Sequence, residues 1–128
     1  MNIIVIELIA SIYIIIIGIA MLSMWIFLLG KREVPELTTK PTQIYFHLAA
    51  ELLTSITLIF GGIGFILNQP WGVALFFISI GMAIYSTINA AGNYGQLKDW
   101  PMFIILNVFT IISLIFATMI ILIEFQIL

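Results

Sequence analysis

The chain has 128 residues, 63% hydrophobic and only 8% charged, with a net charge of −2 and a mean hydropathy of +1.28. That balance excludes a nucleic-acid partner, which needs clustered Lys and Arg, and the absence of cysteine excludes disulfides, iron–sulfur ligation and thiol chemistry. No Walker, Rossmann or His-Glu-x-x-His pattern occurs, and no cofactor is specified.

The four basic and six acidic side chains divide the chain into long uncharged runs, from Leu8 to Gly30, from Leu52 to Leu97 and from Trp100 to Ile123. A helix needs about 20 apolar residues to cross a hydrocarbon core of roughly 30 Å. The first run therefore holds one span, near 3–29. Its apolar core is too long for a signal peptide, and "MNIIVIEL" lacks the basic start of one. Glu7 lies near the outer end of this span, and "IELIASIY" lacks the pattern of the small multidrug transporters. The fluoride-channel signature residues are missing too, so no family is recognised.

A basic loop follows, with Lys31, Arg32 and Lys40. In "TTKPTQ", Thr39 or Thr42 can cap a helix and Pro41 suits its first turn. The second span, near 43–67, carries the only histidine, His47, and one turn later Glu51, on the same helical face. The middle uncharged run is too long for one helix, and "NQPWG", Asn68 to Gly72, is a turn signal within it. The third span then lies near 71–92. After Lys98, "DWP" starts a fourth span near 101–124.

Soluble helices must show a polar face to water, yet "SIYIIIIGIAMLSMWIFLL" and "FIILNVFTIISLIFATMIILI" offer only scattered Ser, Thr, Asn and Tyr. Barrel strands are about ten residues long and alternate polar with apolar; these runs are longer and do not alternate. The expected fold is an all-α integral membrane protein, with residues 1–128 forming one domain of four transmembrane helices in an up-and-down antiparallel bundle. All four Lys and Arg fall in the first and third loops, which two crossings place on one side. The positive-inside rule makes those loops cytoplasmic in a multi-pass protein of the cell membrane, with both termini and the Asn68–Pro70 turn outside.

Depth follows from about 1.5 Å per helical residue. His47 falls about one turn in from the cytoplasmic side and Glu51 about two. Gly81, Tyr85, Asn89 and Asn93 recur every four residues on the third span, Asn107 lies about one and a half turns into the fourth, and Ser23 reaches a similar level on the first. The expectation is a polar layer of Ser23, His47, Glu51, Tyr85, Asn89 and Asn107 in the cytoplasmic half. Tyr45, Trp25, Trp71, Trp100 and Tyr94 read as interfacial belt residues. Gly61, Gly62, Gly64 and Gly81, with Ala83, Ala90 and Ala91, read as sites of close helix approach. Glu51 is the residue least easily explained as packing, since a carboxylate at that depth is costly unless protonated, paired or hydrated.

Two functions fit. The first is binding or transport of a proton, a cation or a small amphipathic ligand at a cytoplasm-facing polar pocket, with a dimer or larger assembly needed to enclose a path. The alternative is a non-catalytic accessory or structural subunit of a membrane complex, in which the same groups hold helix register. One His with one Glu is too few ligands for a metal site, and no catalytic residue is assigned. The expected surroundings are the lipid bilayer and either further copies of the chain or a larger membrane complex.

Overall fold

The computed structural model describes residues 2–126. It is all-helical among those residues: α1 Ile3–Gly30, the single turn α2 Glu36–Thr39, α3 Pro41–Ile66, α4 Gly72–Gln96 and α5 Trp100–Glu124. α1, α3, α4 and α5 are long and apolar enough to cross a membrane.

The helix boundaries have local causes. Asn2 caps α1 by accepting from the Ile4 amide, and Asp99 caps α5 by accepting from that of Met102. At α3 the cap position is Lys40 and no side chain caps it, so neither Thr39 nor Thr42 takes that role. Thr38 and Thr39 instead turn their hydroxyls back to the Pro35 carbonyl, in and beside the extra turn α2. α4 continues to Gln96, about a turn past the expected end near 92, because Gly92 and Gly95 can stay helical.

The three connections between long helices reuse one device. Glu33 N donates to Leu28 O and Arg32 N to Leu29 O, Gln69 to Gly64 and Asn68 to Phe65, and Asp99 to Tyr94 and Lys98 to Gly95. These are Schellman pairs, and the left-handed position is held by Arg32, Asn68 and Lys98 at φ of 55°, 54° and 59°. No glycine takes a positive φ among the described residues. The glycines are used for packing instead.

Along every seam the partners run in opposite directions. Between α1 and α3, Gly62 meets Ser11, Gly18 meets Ser55, and Trp25 meets Glu51. Between α3 and α4, Gly64 meets Gly72 and Glu51 meets Ser86; between α4 and α5, Gly95 meets Phe103 and Thr87 meets Thr110. α5 returns to α1 through Tyr13, which contacts Phe109, Ser113 and Phe116. The helices thus form an antiparallel bundle in chain order.

A Cβ on Gly18 would stand 2.8 Å from Ser55 O, and one on Gly62 would stand 2.7 Å from Ser11 O, so α1 and α3 touch almost backbone to backbone. Gly61 packs against Leu75 and Ser79, and Gly64 against the Trp71 ring. Gly81 does not share this role, because a Cβ there would meet nothing within 4 Å. The main core joins Ile6, Ala10, Ile14, Ile17, Leu58, Phe65, Phe76, Ile80, Ala83 and Ile120; a smaller one, Trp25, Val34 and Ile44, holds the α2 segment against the bundle. Large Ile, Leu and Phe side chains cover the exterior, while the interior also holds Ser11, Thr54, Ser55, Ser79, Ser86, Thr87, Thr110 and Ser113.

Candidate functional site

Glu51 lies on α3 about 15 Å from the start of that helix, at 1.5 Å per residue. Its Oε1 accepts a 2.6 Å hydrogen bond from Ser86 Oγ of α4, and its Oε2 accepts a 3.5 Å bond from Trp25 Nε1 of α1. One carboxylate therefore links three helices. Small residues make this reach possible. Ser79, Ala83 and Ser86 share the α4 face turned to α3, and Ser55, one turn along from Glu51, keeps its hydroxyl on the Glu51 carbonyl.

The expected layer does not assemble around Glu51. His47 is exposed and does not bond to Glu51; the Trp25 indole mediates between them, with its ring edge-on to the imidazole at 5.7 Å between centroids. Trp25 is only 8% exposed, so it is a buried donor and not a belt residue. Trp71 and Trp100, at 47% and 53%, are exposed at helix ends. Tyr85 and Asn89 lie on the outer face of α4, because the periodicity of four that unites them with Gly81 marks the side opposite Ala83 and Ser86. Asn107 is exposed and donates to Phe103 O of its own helix. Ser23 is exposed on α1. Of the six residues expected together, His47 and Glu51 are joined through Trp25, and the other four face outward.

The residues that do the joining had a quieter signal. Ser79, Ala83, Ser86 and Ala90 follow a small-residue spacing of four, three and four, which marks a close helix seam. Two further polar ties complete the bundle. Thr87 and Thr110 hydroxyls meet at 2.7 Å between α4 and α5. Tyr13 Oη lies 2.8 Å from Ser113 Oγ and donates at 3.0 Å to Phe109 O, tying α1 to α5. Each of the four helix seams has a polar side-chain tie.

Two pockets lie away from this cluster. A groove of about 250 Å³ between Glu7, Ser11, Phe65 and Asn68 opens at the opposite end from Lys98, and an apolar depression of about 330 Å³ lies along Ile111, Ile115 and Met119 on the outside of α5. Neither borders Glu51. Among the described residues no three His, Cys, Asp or Glu side chains are grouped to hold a metal ion. Chemically, the Glu51 cluster can hold one negative charge or one proton between two donors, and it can lock the relative heights of α1, α3 and α4.

No curated protein and no solved structure matches the chain. A family model does, over residues 5–127, nearly the whole length, and by that match the chain belongs to the family described as a domain of unknown function, DUF8058.

Proposed function

We propose that this is a multi-pass membrane protein, with its Lys-bearing loops in the cytoplasm and both termini outside, that serves as a non-catalytic component of a larger membrane assembly. The polarity of the bundle supports the membrane setting: the interior mixes Ser and Thr hydroxyls with its apolar core, and the exterior is covered by Ile, Leu and Phe. Lipid tails are as apolar as any core, so such a bundle gains its cohesion from close packing and interhelical hydrogen bonds. The four-to-none distribution of Lys and Arg supports the orientation.

One observation carries the functional reading. Glu51, the acid deepest in a long helix, accepts from donors on two neighbouring helices, and neither the groove at Glu7 nor the depression on α5 borders it. A group so committed acts as a register pin. The test is purification in mild detergent of the native chain and of Glu51→Gln. A partner retained in fixed stoichiometry by both supports a component; loss of the partner's binding in every preparation, with the fold intact, counts against it.

A second reading has its own support. His47 is exposed one helical turn from Glu51, with the Trp25 ring in contact with both, and an imidazole and a carboxylate so placed can together hold a proton, a cation or the headgroup of a small amphipathic ligand. Under this reading Glu51→Gln abolishes ligand binding or flux in vesicles while the helical content is unchanged. A silent Glu51→Gln removes it.

A further inference from the structure

The outer face of α4 differs from the rest of the exterior. α5 turns Ile104, Ile105, Val108, Ile111, Leu114 and Ile115 outward, whereas α4 sets Gly81, Tyr85, Asn89, Gly92 and Asn93 among its outward Ile78 and Ile88. Several outward polar groups are satisfied by their own helix, since Asn107 donates to Phe103 O, Thr57 to Leu53 O and Thr118 to Leu114 O, while Ser23 and His47 stand singly on α1 and α3. Among the described residues, no hydrogen bond engages the Tyr85 phenol or the Asn89 and Asn93 carboxamides.

Tyr85 decides the matter. It is 74% exposed and lies about 16 Å from the Gln96 end of α4 and about 20 Å from the Gly72 end, counting 1.5 Å per residue. Helical side chains lean toward the N-terminus, so this ring tilts away from the nearer end, and its hydroxyl reaches neither membrane surface. An aromatic hydroxyl is too far from its own backbone to bond back to it. In hydrocarbon an unpaired donor is costly. In a membrane its partner comes from outside this fold.

We infer that this face pairs with α4 of a second copy, around a two-fold axis along the membrane normal. The inference rests on the membrane-component reading above and names its partner. Three features favour a copy. A carboxamide both donates and accepts, so Asn89 facing its counterpart across a two-fold axis is self-complementary. The shared orientation imposed by the basic loops makes two α4 helices parallel, which brings like residues to the same depth. Gly81 and Gly92 flank Tyr85 and Asn89, and a Cβ on either meets nothing in its own fold, so both are free to admit a neighbouring backbone.

The chain has no cysteine, which permits a direct test in native membranes. Single variants Gly81→Cys and Gly92→Cys on this face, and Ile16→Cys and Ile111→Cys on the outer faces of α1 and α5, are treated with a short bis-maleimide. The expected result is a covalent dimer from the first two and none from the last two. Adding Tyr85→Phe with Asn89→Leu should weaken self-association by about three- to tenfold, the loss of one interhelical hydrogen-bonded pair. Gly92→Leu should abolish the dimer while keeping native helicity, since its own fold leaves room there. Dimers absent at all four sites, or equal at all four, overturn the proposal. Cross-links from α4 to a different protein or to a lipid probe also overturn it, while leaving the component reading in place. Release of the chain by alkaline carbonate would instead refute the membrane setting itself.

Discussion

Ser86 donates to Glu51 across the α3–α4 seam at 2.6 Å, 35 residues away in sequence, whereas His47, only four residues from Glu51 on the same helix, does not bond to it. The carboxylate turns into the bundle and the imidazole stays outside. The Trp25 ring, bonded to one and edge-on to the other, makes the link between them. This arrangement leads to the first of four predictions.

Ser86→Ala removes the short donor and leaves a partly buried acceptor with one bond, so it should destabilise the bundle by about 1–2 kcal/mol. Glu51→Leu removes the acid together with its need for donors and should cost little, or stabilise. The two effects should not add, because the residues form one tie. Unfolding in mixed micelles, followed by circular dichroism, measures the cycle. Additive losses would mean that the tie contributes nothing.

The glycines separate into two classes. Gly18→Ala and Gly62→Ala place a Cβ against backbone oxygens at 2.8 and 2.7 Å, and should cost about 1–3 kcal/mol by forcing α1 from α3. Gly81→Ala meets nothing within 4 Å and should leave the monomer unchanged or more stable by about 0.5–1 kcal/mol. The same unfolding assay ranks the three; equal effects would refute the close α1–α3 seam.

Arg32 and Lys98 hold left-handed positions that disfavour a Cβ. Lys98→Gly should therefore stabilise the α4–α5 connection by roughly 1 kcal/mol. Lys98→Val, branched at Cβ, should destabilise it. Thermal unfolding in detergent compares the pair, and a reversed order would contradict the Schellman geometry.

The last prediction concerns orientation. Asn68→Cys should react with an impermeant maleimide in intact cells, and Lys98→Cys only after permeabilisation. The opposite pattern inverts the membrane assignment of both ends.

How much of this was written in the chain itself is clearest from α4. The charge-free runs and the turn at Asn68–Pro70 marked four long helices, since backbone hydrogen bonding and span length depend only on local composition. Gly61, Gly62 and Gly64 were legible as contact points. The internal face of α4 was not. In water an apolar stripe points to the core, but α4 carries apolar residues on every side, and the polar periodicity of Gly81, Tyr85, Asn89 and Asn93 pointed outward.

By itself, then, the sequence determined the number of long helices, their ends to within about a turn, and the placing of every Lys and Arg at one end of the bundle. Only the tertiary structure decided that Trp25 is buried, that Ser86 and not Asn89 meets Glu51, and that Tyr13 closes α5 onto α1. Where the surroundings are as apolar as the core, hydrophobicity cannot choose a helix face. The choice falls to shape, to where small residues let two backbones approach, and that is a property of helix pairs.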